Sequence, residues 1–187
     1  MIKKIEEPWI ITGHKIFAEK GPSAITVEGL AREVNKSKSS FYHHFVDLQI
    51  FTNRLLDYHL ERSMNIIKEE SKCRNINPNL FDTLMKYQRD VLFHRQMLMN
   101  RNNPEFEVLY TKITDQGIAT ILKIWNEELN LTSHSSTGKR LLKMGMENLF
   151  QRASPKNLTI SYLDNSFKEL KRIAIELRNS YPMNGPV

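Results

Sequence analysis

The chain has 187 residues, 40% hydrophobic and 26% charged, with a formal net charge of +6 and one cysteine. That balance describes an ordinary globular chain, excludes an internal disulfide, and tilts modestly toward polyanions such as nucleic acid. Every apolar run falls short of the ~20 residues that a bilayer-crossing helix needs, so no membrane partner is expected.

At the start, "MIKKIEEPWII", the residues Glu6, Glu7 and Pro8 interrupt any long apolar stretch. No signal peptide is therefore expected, and the sequons at Asn130 and Asn157 read as chance in a cytoplasmic protein. Pro8 suits the first turn of a helix that Gly21-Pro22 closes, with Ile10, Phe17 and Ala18 on one face. Thr26 caps a second short helix whose inner stripe is Val27, Leu30, Ala31 and Val34. Ser37 caps a third, with Phe41, His44 and Phe45 sharing one side. Asp47 opens a much longer fourth helix through Phe51, Leu55, Tyr58, Met64 and Ile67, which ends in a polar linker at 72–77. Asn77-Pro78 and Asn103-Pro104 each read as a cap followed by a first helical residue. The first of these opens a single helix from Asn79 to about Asn100. Two polar loops then set off helices of about 136–153 and 160–179. No strand alternation of useful length is present, so the expected fold is all-α with roughly eight or nine helices.

The third segment, "SKSSFYHHF", poses the functional question. A helix of about seven residues is unstable alone, so Phe41 and Phe45 must pin it to its neighbours. Lys38, Ser39, Ser40, Tyr42 and His43 then face outward. Lysines neutralise phosphates, short hydroxyls permit close approach to a groove, and Tyr42 is a rigid donor at the flank. Asn35 stands where the preceding turn needs a positive φ. Two helices joined by such a turn, the second presented outward, form a helix-turn-helix.

The stretches "IFAEKG" (Ile16 to Gly21), "ITV" (Ile25 to Val27), "LA" (Leu30-Ala31) and "SKSSFYHHF" (Ser37 to Phe45) resemble the TetR family of bacterial transcriptional regulators over residues 8 to about 60. The resemblance implies a DNA-binding site made of Thr26, Lys36, Ser37, Lys38, Ser39, Ser40, Tyr42, His43 and His44. Thr26 would contact phosphate, Lys36, Lys38, Ser39, Ser40 and His43 would face the groove, and Tyr42 and His44 would flank the backbone. Three residues depart from the family pattern: Asn35 for the usual turn glycine, Lys36 for an apolar residue, and Leu48 for a phosphate-binding lysine. His14, where the family prefers alanine, reads as a packed or half-exposed histidine.

In the remaining chain, Gln88 and Arg95 fall on the apolar stripe of Phe81, Leu84, Val91 and Leu98, where buried polar groups need partners. Glu127, Glu128 or Glu147 would satisfy them. The other reading is an effector pocket of Gln88, Arg95, Tyr110, Trp125 and Met144, with Met97, Met99 and Met146 as adaptable lining. Gly117 and Gly145 mark either a kink or a close helix crossing. Leu163, Phe167, Leu170, Ala174 and Leu177 make a seam that wants a partner helix. With Leu141 and Leu149 they are the expected dimer interface. His43 and His44 diverge by ~100° on a helix and lack a third ligand, and Cys73 has no patterned base. No metal, cofactor or enzymatic activity is expected.

The expected organisation is a helix-turn-helix head at 1–46, a linker helix from 47 to about 73, and a regulatory and dimerisation body at 74–187. The expected function is a homodimeric repressor that binds an inverted-repeat DNA operator and is released by a small-molecule effector. A constitutive DNA binder without an effector and a helical protein-interaction module are the alternatives.

Overall fold

The computed structural model describes residues 4–130 and 136–180, with side chains of 137 and 178–180 left aside. The described residues form nine α-helices and no strand: α1 (Glu7–Lys20), α2 (Val27–Val34), α3 (Lys38–His44), α4 (Leu48–Glu70), α5 (Phe81–Lys86), α6 (Gln88–Met99), α7 (Pro104–Glu128), α8 (Ser136–Arg152) and α9 (Ile160–Ser180). Polar caps set most of their starts. Asp47 Oδ1 accepts from the Ile50 amide at 2.8 Å, and Asn103 Oδ1 accepts from the Glu105 amide at 2.9 Å. Thr159 Oγ1 accepts from the Tyr162 amide at 3.2 Å. Pro8 lies in the first turn of α1, and Gly21 closes that helix at φ +86°.

Asn77-Pro78 is not a cap followed by a first helical residue. The cap is Asn75, whose side chain accepts from the Asn79 amide at 3.0 Å, while Asn77 itself is extended. A wide turn at Ile76–Leu80 leads into α5. Tyr87, at φ −108° and ψ 30°, then breaks the expected single helix into α5 and α6. The register expected to join Phe81 to Arg95 is therefore lost. Phe81, Leu84, Val91 and Leu98 are still buried, but the buried polar residues of α6 are Asp90 and His94, not Gln88 and Arg95. Both of the latter are half-buried.

By contact, the chain forms two units, 1–66 with 87–113 and 67–86 with 114–187. This grouping by packing differs from the functional division read from the polar linker, because α6 returns to pack along α1.

In the first unit, Trp9, Ile10 and Phe17 of α1 join Leu30, Phe41, Phe45, Phe51, Leu55 and Phe93 in one core. Gly13 permits the approach of α4: a Cβ there would lie 2.5 Å from Cζ of Phe51. The buried face of α4 is rotated from the expected one, running through Phe51, Leu55, Leu56, His59, Ser63 and Ile66. Tyr58, Met64 and Ile67 are half-buried. The ring of Phe93 stacks on His59 at 4.1 Å, on His14 at 4.6 Å and on Phe17 at 4.0 Å between centroids.

Polar groups converge beside it. Arg62 donates from Nε and Nη2 to the two oxygens of Asp90, each at 2.6 Å. His14 Nε2 lies 3.4 Å from Asp90 Oδ1 and 3.3 Å from His59 Nδ1. Burial lowers the pKa of both histidines, that of His59 far more, although Asp90 pulls the other way. Burial also opposes the charge on Asp90, yet the hydrogen bonds from Arg62 and His14 outweigh it and hold the carboxyl well below its usual range.

In the second unit, Phe167 of α9 packs against Phe81 at 5.3 Å and Trp125 at 6.3 Å between ring centroids. Trp125 Nε1 donates to the Gly138 carbonyl at 3.1 Å, and the Tyr162 hydroxyl donates to the Leu149 carbonyl at 2.6 Å. Gly145 is a close crossing: a Cβ would collide with the side chain of Leu170. No such contact exists at Gly117.

The seam expected to pair two subunits is therefore largely used within one chain. Leu149, Leu163, Phe167 and Ala174 are buried between α9 and its own neighbours. Leu141 and Leu170 are half-buried, and Leu177 is exposed. No described helix is long and apolar enough to cross a membrane.

Burial lowers the pKa of His94 from 6.5 to about 3. Between those values the unfolded chain carries a proton on this residue that the folded chain excludes, so stability falls as the pH falls. Urea denaturation between roughly pH 6 and 4 should show the wild type losing about 1.4 kcal/mol per pH unit relative to His94→Phe.

Candidate nucleic-acid interface

Seven residues cannot sustain a helix in water, and α3 is held by aromatic contacts along one side. Phe41 is 0% exposed and Phe45 1%. Phe41 meets Trp9 of α1 edge-on at 5.5 Å and Phe51 of α4 at 5.5 Å, while Phe45 meets Phe51 at 5.1 Å. The i and i+4 spacing puts both phenylalanines on the inner face.

The turn before α3 is fixed by hydrogen bonds. Asn35 is left-handed at φ 55° and ψ 49°. Its amide donates to the Arg32 carbonyl at 3.2 Å, and the Lys36 amide donates to the Ala31 carbonyl at 2.9 Å. This pair of bonds is a Schellman closure with asparagine in the position that usually takes glycine. Ser37 then starts α3 by accepting from the Ser40 amide at 3.1 Å, as Thr26 starts α2 by accepting from the Gly29 amide at 3.0 Å.

With the inner face so committed, Lys36, Ser37, Lys38, Ser39 and His43 are exposed, Tyr42 is 54% exposed, and Ser40 and His44 are half-buried. Thr26 is exposed at the start of α2. Eight of the nine residues named from the sequence therefore lie on α3 or the turn before it, and Thr26 lies at the start of α2. Leu48 opens α4 half-buried.

One neighbour was not anticipated. Lys38 Nζ donates to Glu28 Oε1 of α2 at 3.1 Å, with both side chains largely exposed. An exposed pair of this kind contributes about 0–1 kcal/mol, weak enough to be exchanged for another anion. Glu28 and Lys38 each sit near the start of adjoining helices, a spacing that carries no sequence signal of contact.

The five effector-pocket residues are divided. Gln88, Arg95 and Tyr110 lie in the first unit and Trp125 and Met144 in the second. Tyr110 is buried and stacks on His94 at 4.6 Å, Trp125 is buried, and Met144 is 66% exposed. Of the suggested carboxylate partners, Glu128 pairs with Lys171 at 2.9 Å. Met97 and Met146 are core residues, whereas Met99 is exposed. His14 is packed, as read, at 2% exposed, and it meets His59 and Asp90, partners far away in sequence.

A short helix presented outward after a capped turn, in an all-helical chain, is the architecture of a helix-turn-helix DNA-binding protein. Residues 11–47 match the sequence model of the bacterial regulatory proteins of the tetR family, from the second turn of α1 to the cap of α4. The chain carries the DNA-binding domain of that family and is a DNA-binding transcriptional regulator. No curated protein matches it.

Because Asn35 is left-handed, a β-carbon without the asparagine amide is strained there, by about 1–2 kcal/mol. Asn35→Ala should lower the unfolding free energy by about that amount, while Asn35→Gly should stay within ~0.5 kcal/mol of wild type in urea denaturation.

Proposed function

We propose that the protein represses transcription by binding an inverted-repeat operator as a homodimer, each subunit laying α3 into the major groove. The observation that carries this reading is the clamp at Phe41 and Phe45, which leaves Lys36, Lys38, Ser39, Tyr42 and His43 exposed on the opposite side. Thr26, Ser37, Ser40 and His44 complete the contact set at the helix starts and the flank. Lys36, in the family's apolar position, adds a cation beside the groove and offsets the cation lost at Leu48. Two-fold symmetry would place the two reading helices about one duplex turn, ~34 Å, apart.

Selection of bound duplexes from a random pool should give a two-fold-symmetric consensus; a pool that stays random would remove sequence-specific recognition. On that consensus, Tyr42→Phe should weaken binding about fivefold, the loss of one net hydrogen bond. Lys38→Ala should lower the slope of log affinity against log salt by about 1. Unchanged binding in both variants would displace α3 from the groove.

For the dimer, we assign contact to the apolar residues that one chain leaves uncovered on α8 and α9. Met144, Ile173 and Leu177 are exposed, and Leu141 and Leu170 lie half-buried beside them. Leu149, Leu163, Phe167 and Ala174 support this face from below. Ile173→Asp should shift sedimentation from dimer to monomer without loss of helical circular dichroism, because the site is a surface position in the single chain; an unchanged mass would move the interface elsewhere. An effector would act by favouring one of two head spacings, a population shift without chemistry. Gln88, Arg95 and Tyr110, all in the first unit, remain its proposed contacts.

A further inference from the structure

We propose that His14, His59 and Asp90 form an internal binding site for one divalent transition-metal ion of the zinc type. The three residues come from α1, α4 and α6, all within the first unit, and all three are buried. Their facing atoms are Nε2 of His14, Nδ1 of His59 and Oδ1 of Asp90, separated by 3.3, 3.4 and 4.0 Å. A triangle with those edges has a point about 2.1 Å from every corner, and zinc–imidazole and zinc–carboxylate bonds are ~2.0–2.2 Å.

Hydrogen bonding alone explains the cluster poorly. The Ser63 hydroxyl donates to the His59 carbonyl at 2.8 Å, so its oxygen is left to face His59 Nε2 at 3.4 Å as an acceptor. That arrangement puts the His59 proton on Nε2 and leaves a lone pair on Nδ1. The lone pair points at His14 Nε2, which also faces the carboxylate. One N–H, that of His14 Nε2, would have to serve two acceptors at once. A cation satisfies all three atoms at once when His14 carries its proton on Nδ1.

Supporting groups are in place. Ser63 orients His59 through the ring nitrogen away from the ion, the usual arrangement around a metal-bound imidazole. Asp90 holds Nη2 of Arg62 through Oδ2, which leaves Oδ1 for the ion when the guanidinium yields its second bond. Arg62 is 36% exposed and marks the side from which an ion and a fourth, water ligand enter. Two imidazoles and one carboxylate suit zinc, cobalt or nickel, whereas calcium and magnesium take oxygen ligands. The inference does not depend on the DNA-binding reading.

The test uses the full chain, stripped with a chelator and titrated with Co²⁺ in the absence of DNA. The expected result is one ion per chain with a visible ligand-field band, displaced by one equivalent of Zn²⁺, and a Zn²⁺-dependent rise in melting temperature. His14→Ala and His59→Gln, each checked for helical circular dichroism, should lose the band and weaken binding by at least about tenfold. His43→Ala, on the surface of α3, should keep both. Absence of the band in wild type, or an unchanged band in either variant that retains its helical signal, would overturn the site.

Discussion

The packing of Phe41 and Phe45 against Trp9 and Phe51 is the constraint on which the head depends. A seven-residue helix has too few internal hydrogen bonds to repay its nucleation, so α3 exists because two of its side chains are anchored in a core built by α1 and α4. Those anchors commit one face only. Lys38, Ser39, Tyr42 and His43 stay exposed, which frees those positions to be polar, while Ser40 and His44 are half-buried. The surface chemistry of α3 is thus a consequence of how completely two residues satisfy its folding requirement. Gly13 belongs to the same constraint, because Phe51 reaches Phe41 and Phe45 only where α1 gives up a β-carbon.

Features decided within a few residues were legible in the sequence. The caps at Thr26, Ser37, Asp47 and Asn103 are side chains that bond amides two or three positions away, and the structure places each as read. Asn35 took the left-handed turn because few other residues tolerate it. The exposed set on α3 followed from the spacing of two phenylalanines. Features decided over long separations were not legible. No glycine or proline marks the break at Tyr87, so one helix was expected where two form. The seam on α9 announced a partner helix, and periodicity could not say that α5 and α8 of the same chain would supply it. His14 shares a face with Ile10 and Phe17, but its partner His59 lies 45 residues away.

The first unit also shows how a polar interior is kept in order. Asp90 is 3% exposed, and a buried carboxylate without a partner would be costly. Arg62 supplies a two-pronged bond, while the apolar ring of Phe93 stacks on both flanking imidazoles. Truncating Arg62 would leave the buried carboxylate of Asp90 without its ion-pair partner, so this pair tolerates exchange less readily than the purely apolar contact of Phe17 with Phe93. The residues of α6 that take part explain why the head does not pack as an isolated three-helix piece.

The contact between Lys38 and Glu28 has a consequence for discrimination. A lysine waving in solvent gains from almost any polyanion that comes near, wherever that polyanion sits. Lys38 starts beside a carboxylate, so on the proposed reading a phosphate would displace a partner worth about 0–1 kcal/mol. Only the difference between the two anions counts, and that difference is favourable when the incoming group is well positioned. On the proposed reading, Glu28 would blunt indiscriminate electrostatic sticking slightly and leave geometry to choose where the protein comes to rest.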